Sequence, residues 1–138
     1  PGYIQIEVTE RVHDMEDLDI KHLISKLRQA GFTVAIDDFG TEYANLALLS
    51  EVEFDVLKLD KSMIDNISVN PKTKAIVESI SEICTKLGID MVAEGIETEE
   101  QFSTLRSCGV GLAQGFLFSR PISTDEYEER YLNTTTDK

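Results

Sequence analysis

Acidic side chains and one lysine stand at the ends of short apolar runs along this sequence. Glu7 lies in the apolar run Tyr3–Val8, and Asp37 and Asp38 directly follow the run Thr33–Ile36. Two adjacent carboxylates repel each other unless a cation sits between them, so this pair points to cation binding. The later runs carry or precede the remaining polar residues of this set, which are Lys58, Asp60, Glu94 and Gln114.

The apolar runs are predicted β-strands, because the stretches between them have helical periodicity. The predicted strands are Tyr3–Val8, Thr33–Ile36, Val56–Leu59, Met91–Ala93 and Leu112–Ala113. Alternation of strand and helix is typical of a parallel sheet with right-handed crossovers. The polar residues then meet at the carboxyl ends of the strands, where α/β proteins place their chemistry. Because side chains alternate along a strand, the charged residues share one face and the other face is left to covering helices.

Glycines and capping residues mark the ends of the predicted helices. One apolar stripe ends at Gly31 and a longer one at Gly88, since glycine accepts the left-handed backbone that ends a helix. The first stripe contains Ile20, Leu23, Ile24 and Leu27, and the second contains Ile76, Ile80, Ile83, Cys84 and Leu87. Asn70-Pro71 precedes the longer helix, so Ser62–Ile67 is predicted to form a separate short turn or helix. Capping boxes are predicted for two pairs, Thr98 with Gln101 and Ser123 with Glu126.

The composition is that of one globular domain of 138 residues, with 41% hydrophobic and 28% charged residues. A formal net charge of −13 argues against binding nucleic-acid polymers or anionic membranes, because both need clustered Lys and Arg. No apolar run approaches the ~20 residues that span a bilayer. Cys84 and Cys108 have no metal-binding spacing, so free thiols are predicted over a disulfide. Free thiols indicate a reducing, cytoplasmic location.

The fold class follows from the strand count and from the direction of the polar residues. A closed barrel of eight strand–helix units needs ~200 or more residues, and this chain has 138. An open sheet is one interpretation, but polar residues facing inward at every strand end favour an arc of a TIM-type (β/α) barrel. The first strands of the barrel would then be missing. The start at Pro1, without a Met, predicts that the chain begins inside a larger reading frame.

Five short motifs follow one another at the predicted strand ends. They are Glu7-Val8-Thr9-Glu10, Asp37-Asp38-Phe39-Gly40-Thr41, Leu57-Lys58-Leu59-Asp60, Val92-Ala93-Glu94-Gly95-Ile96-Glu97 and Gln114-Gly115-Phe116. In this order and spacing they resemble the motif series of the EAL-domain family, the bacterial cyclic-di-GMP phosphodiesterases. The resemblance assigns residues 1–132 to the C-terminal portion of an EAL domain and leaves 133–138 as a flexible tail. The family's Glu-Ala-Leu segment, and a following strand with a metal-binding Asn, are absent from this sequence.

The resemblance implies a two-metal site that hydrolyses cyclic di-GMP to linear pGpG. It implies Mg²⁺ or Mn²⁺, with Ca²⁺ as a further ion that binds, since carboxylate oxygens suit these ions. In the same way, Glu7, Asp37 and Asp38 are implied metal ligands. Glu94 is implied as general base or further ligand, and Lys58 as the group that orients water or offsets phosphate charge. The implied supporting or substrate-binding residues are Glu10, Asp60, Glu97 and Gln114.

Each of these residues also has a plainer structural interpretation. Glu7 is alternatively a surface acid at a strand end, and the Asp37-Asp38 pair alternatively caps the next helix. Lys58 and Asp60 share a strand face and are alternatively a structural ion pair. The acids that follow the fourth run alternatively form a solvated turn.

The function has alternatives as well, because the chain departs from the family pattern. The family usually has glycine where Glu42 stands, and glutamate adopts positive φ poorly. With the Glu-Ala-Leu segment absent too, the isolated chain is expected to be a weak or inactive phosphodiesterase. The alternatives are a non-catalytic receptor for cyclic di-GMP or metal, and an assembly module. A partial barrel leaves open strand edges, so a homo-oligomer is predicted, with an upstream regulatory domain as the other candidate partner.

Overall fold

The fold was analysed in a computed structural model that describes residues 4–9, 17–41 and 46–132. The strands are β1 (Gln5–Thr9), β2 (Thr33–Phe39), β3 (Val56–Leu59), β4 (Asp90–Ala93) and β5 (Leu112–Ala113). The helices are α1 (Asp17–Gln29), α2 (Leu46–Glu51), α3 (Lys61–Ile64), α4 (Pro71–Leu87), α5 (Glu99–Ser107) and α6 (Thr124–Tyr127). A π-helical segment, Glu128–Leu132, continues α6.

The strands form one parallel sheet in the order β1-β2-β3-β4-β5. Each strand therefore pairs with its neighbour in sequence, and right-handed crossovers place all the intervening helices on the same face. A doubly wound sheet would reverse direction and carry helices on both faces, so this order is the barrel type. The predicted alternation of parallel strands and helices is confirmed. Within the described ranges, β1 and β5 each pair on one side only.

The core lies between the sheet and its helices. Leu57 and Leu59 of β3 and Val34 and Ile36 of β2 are almost fully buried. They pack with Ile24 and other helix residues in one cluster, whose further members include Leu48, Val77, Ile80, Cys84 and Leu105. Each such side chain contributes about 1.5–3 kcal/mol to folding. This core fixes the sheet, and with it the strand ends that carry the charged residues.

Several expectations about the elements are corrected by the structure. Leu23, Ile76 and Leu87 are exposed, so they do not belong to the buried faces of α1 and α4. On α4 the buried set is Val77, Ile80, Ser81 and Cys84. The buried face of α4 is thus displaced from the predicted stripe and includes the polar Ser81. In addition, β2 does not end at Ile36 but continues to Phe39.

Other predictions about helix ends and cysteines are confirmed. Gly88 ends α4 in the left-handed conformation, with φ 71°, and Asn70 caps its first turn. Thr98 and Gln101 form the predicted capping box of α5. Cys84 and Cys108 are both free, and burial raises the pKa of the Cys84 thiol to about 11. None of the helices in the described ranges is long and apolar enough to cross a membrane.

Candidate functional site

The centre of the candidate site is the amino group of Lys58, in the middle strand of the sheet. Lys58 Nζ lies 2.7 Å from Glu7 Oε1, 3.1 Å from Asp37 Oδ1 and 2.8 Å from Glu94 Oε1. Glu7 lies in β1 and Asp37 in β2, whereas Glu94 directly follows β4. The sheet therefore brings three predicted site acids and the predicted lysine together at the carboxyl edge. These four side chains are called the lysine–carboxylate cluster below.

The lysine is the most buried member of the cluster. Its side chain is 7% exposed, against 20% for Asp37 and 23% for Glu94. The side chain of Glu7 is 45% exposed, so this carboxylate forms the open side of the cluster. Burial acts to lower the pKa of Lys58, but hydrogen bonds with the three carboxylates raise it above its ordinary value. Lys58 therefore stays charged at physiological pH.

Local backbone geometry separates the two adjacent aspartates. Asp38 has φ 58°, the only positive φ among the described non-glycine residues, and the β2–β3 register shifts between Ile36 and Phe39. Aspartate tolerates this left-handed conformation better than most residues, but it still carries strain. Asp37 points to Lys58, as strand alternation predicts, whereas Asp38 is exposed and its N–H donates to Asp37 Oδ1 at 3.0 Å. Such strain is found most often at functional sites.

Asp60 has a structural role at the start of α3. Its side chain accepts a hydrogen bond from the Ser62 N–H at 2.8 Å and caps the helix. Burial acts to raise the pKa of Asp60, but hydrogen bonds from Ser62 and the Lys61 N–H hold it below its ordinary value. The ion pair between Lys58 and Asp60 is therefore not formed, because Lys58 contacts Glu7, Asp37 and Glu94 instead. A role for Asp60 in substrate binding stays a prediction.

The remaining predicted residues lie around a hollow of about 240 Å³ beside Glu94. Its lining residues are Lys61, Glu94, Gly95, Glu97, Gln114, Gly115 and Phe116. Glu97 forms an ion pair with Lys61 across the hollow. Lys61 was not among the site residues predicted from the sequence. The feature that could have indicated it is its position directly after Asp60. Glu10 lies outside the described residues.

The donor chemistry of the cluster fits a hard divalent cation. Three carboxylates at the ends of β1, β2 and β4 offer oxygen atoms, the donor type that Mg²⁺, Mn²⁺ and Ca²⁺ prefer. As placed, however, these oxygens surround the ammonium of Lys58. No group of three or more His, Cys, Asp or Glu side chains stands at metal-binding spacing in the ranges that the structure describes. The cluster therefore has the ligands for a metal ion, while its centre is taken by a lysine.

Comparison with known proteins identifies relatives over almost the whole chain. The family model of the EAL domain matches residues 1–121. The cyclic di-GMP phosphodiesterase NbdA of Pseudomonas aeruginosa is 38% identical over 127 residues, which are 92% of this chain and 16% of NbdA. The chain thus spans about a sixth of the length of this curated relative.

Solved structures share the fold as well. The EAL domain of Mycobacterium smegmatis DcpA superposes with a TM-score of 0.88 at 36% identity, covering 96% of this chain and 59% of that one. Klebsiella pneumoniae BlrP1, solved as a complex with manganese and cyclic di-GMP, gives 0.83 at 42% identity, covering 88% and 31%. BlrP1 has also been solved with calcium and cyclic di-GMP.

Proposed function

This chain belongs to the EAL domain family, and from that premise we propose that it supplies the catalytic edge of a metal-dependent cyclic-di-GMP phosphodiesterase. The substrate is cyclic di-GMP and the product is linear pGpG. The observation that carries the proposal is the lysine–carboxylate cluster, which unites side chains of β1, β2 and β3 with Glu94 after β4. Manganese and calcium complexes of BlrP1 with cyclic di-GMP support both the substrate and the metal.

Each member of the cluster has a proposed task. Glu7, Asp37 and the exposed Asp38 hold Mg²⁺ or Mn²⁺. A bound divalent ion neutralises phosphate charge and lowers the pKa of water. Glu94 accepts a proton from the attacking water, and Lys58 donates a hydrogen bond to that water or to the phosphate. Water attacks phosphorus, the bond from phosphorus to the 3′ oxygen breaks, and that oxygen takes up a proton to give pGpG.

The test is chromatographic detection of pGpG after incubation of the 138-residue chain with cyclic di-GMP and Mn²⁺. We expect metal-dependent product at a rate far below that of NbdA in the same assay. The reason is that a two-metal centre takes ligands from several strands, and this chain covers 59% of the DcpA EAL domain.

Two variants make the assay specific. Asp37→Asn should abolish the product, because it removes the charge of a ligand in the cluster. Glu82→Gln, an exposed acid on α4, serves as the matched control and should leave the rate unchanged. If the wild-type chain forms no pGpG and shows no calorimetric binding of cyclic di-GMP, the proposal fails.

A second candidate function is a non-catalytic receptor for cyclic di-GMP. It is supported by the contacts of Lys58 with Glu7, Asp37 and Glu94, which engage the lysine and the carboxylates that catalysis would need. Calorimetric binding of cyclic di-GMP without any pGpG would favour the receptor over the enzyme.

The proposed location is the cytoplasm, supported by the free thiols of Cys84 and Cys108. A further proposed partner is a second copy of the chain at β1. This strand pairs with β2 only, within the described residues, and Ile4 beside it is exposed. Open strand edges are templates for pairing, so we expect a dimer at micromolar concentration. A monomer in light scattering would contradict this expectation.

A further inference from the structure

We propose that Lys58 is a built-in counter-cation that competes with the first divalent ion for the carboxylates of Glu7, Asp37 and Glu94, and that ion binding frees its ammonium for catalysis. This inference rests on the proposed function, because it concerns the order of events at the same site. The added step is the withdrawal of Lys58 from the three carboxylates, which the proposed tasks of the cluster residues do not include.

The hydrogen-bond donors of Lys58 are all engaged within the cluster. A lysine ammonium has three N–H donors and no acceptor. Lys58 Nζ lies within 2.7–3.1 Å of one oxygen from each of Glu7, Asp37 and Glu94. Each donor is therefore matched to one carboxylate, and none remains for a water molecule or a phosphate. In this arrangement Lys58 holds the site together but cannot act on a substrate.

A divalent ion and the Lys58 ammonium would repel each other at the centre of the cluster. The carboxylates stand at ordinary hydrogen-bond distances from an ammonium, whereas Mg²⁺ needs oxygens at about 2.0–2.1 Å. An ion that took two of these oxygens would lie within a few ångströms of Lys58 Nζ. Two cations that close repel each other by several kcal/mol at an effective dielectric constant near 20, about 4 kcal/mol per pair of unit charges at 4 Å. The ion and the ammonium therefore exclude each other from the centre.

The side chain of Lys58 can move although its backbone is held. Lys58 belongs to β3, which is paired with β2 on one side and β4 on the other, so its backbone is held. The side chain is a flexible four-carbon stem, and an ion can enter from the open side formed by Glu7. The exposed Asp38 lies next to Asp37 and is available as a further ligand. Entry of the ion into the centre thus requires the lysine side chain to swing away.

Manganese titration of the metal-free chain and of Lys58→Met tests the competition by calorimetry, with no nucleotide present. Removing the competing charge should tighten Mn²⁺ binding about tenfold or more. Lys21→Met is the matched control, because Lys21 forms an exposed ion pair with Glu51 at 3.0 Å, away from the cluster. Its affinity should equal that of the wild type. Equal or weaker Mn²⁺ binding by Lys58→Met overturns the inference.

A measurement on the wild-type chain does not depend on the folding of a variant. Acetylation with an amine-reactive reagent, followed by peptide mass spectrometry, reports how accessible Lys58 is relative to Lys21. Saturation with Mn²⁺ should increase the labelling of Lys58 and leave that of Lys21 unchanged. Labelling of Lys58 that stays constant or falls contradicts the withdrawal.

These outcomes are separate from those of the hydrolysis assay. Tighter Mn²⁺ binding by Lys58→Met without pGpG from the wild type would uphold the competition and reject the phosphodiesterase. Formation of pGpG by the wild type, with unchanged Mn²⁺ affinity in Lys58→Met, would uphold the phosphodiesterase and reject the competition.

Discussion

Replacing Lys58 with methionine is expected to lower the free energy of unfolding of the metal-free chain by about 3 kcal/mol. Methionine keeps the length of the stem but removes the charge, so three carboxylates face one another without a cation. Breaking a buried ion pair from one side costs about 3–5 kcal/mol. The lower end applies here because the Glu7 side chain is 45% exposed and stays partly solvated.

Urea denaturation in the presence of a chelator measures this loss. Lys21→Met is again the control, since an exposed ion pair contributes about 0–1 kcal/mol. Added Mn²⁺ should restore part of the stability of Lys58→Met, because a ligand that binds only the folded state stabilises it. A loss no larger than that of the control would show that the cluster does not stabilise the fold.

The same comparison has a defined pH dependence. The pKa of Lys58 is raised in the folded chain, since its hydrogen bonds with carboxylates outweigh the opposing effect of burial. Its contribution is therefore complete below the unfolded pKa of about 10.4 and is lost only as pH rises through the higher folded value. The difference between the wild type and Lys58→Met should accordingly be the same at pH 7 and pH 9.

The sequence alone predicts which residues form the cluster and that they lie at the carboxyl edge of the sheet. Parallel strands align their carboxyl ends, and alternation along each strand places Glu7, Asp37 and Lys58 on the same face. That all three acids converge on one amine depends on the register, in which Glu7 lies opposite Ala35 and Lys58 opposite Val92. Register arises from tertiary packing, which the strand patterns alone do not define.

Two local features were beyond the sequence pattern for a different reason. Strand alternation places Asp37 inward, but it does not predict the positive φ of Asp38 or the register shift of β2, which accompany the exposure of the Asp38 side chain. Asp60 has the inward parity of Lys58, yet the start of α3 directly after β3 makes it a helix cap. In both cases a local hydrogen bond competes with the regular strand geometry and wins.

The buried face of α4 differs in part from the face that sequence periodicity predicts. The apolar residues of α4 form a stripe wider than the surface that the sheet covers, so Ile76 and Leu87 fall outside it. The buried side of α4 includes Ser81, whose Oγ lies 3.0 Å from the position of a Cβ at Gly109. Amphipathic periodicity predicts that a helix packs, but not its exact rotation.

Gly115→Ala is expected to destabilise the chain by about 3 kcal/mol, the upper part of the usual range for overpacking. A Cβ at Gly115 would lie 2.2 Å from the carbonyl oxygen of Ile96 and 2.3 Å from its amide nitrogen. These are backbone atoms of a fully buried residue, so they cannot rotate away as a side chain would. Gly115 does not have a positive φ, so the effect would come from this contact alone.

The contact matters because it joins the segments that follow β4 and β5. The Ile96 N–H donates to the Gln114 carbonyl at 3.2 Å, and the Leu117 N–H donates to the Ile96 carbonyl at 3.0 Å. An added methyl group must push these segments apart and break such bonds. Glu94 lies two residues before Ile96, so the change should also move its carboxylate from Lys58.

Gly111→Ala is the matched control for this prediction, because no atom lies within 4 Å of a Cβ at Gly111. It should change the free energy of unfolding by no more than about 0.5 kcal/mol. Urea denaturation of both variants in the presence of a chelator compares their free energies of unfolding. If Gly115→Ala were as stable as Gly111→Ala, the close contact between the two segments would be refuted. Lack of room for a side chain would then not explain the glycine of the Gln114-Gly115-Phe116 motif.

If the predicted loss is found, the absence of a side chain at Gly115 is what lets the segments after β4 and β5 touch. This contact keeps Glu94 within reach of Lys58.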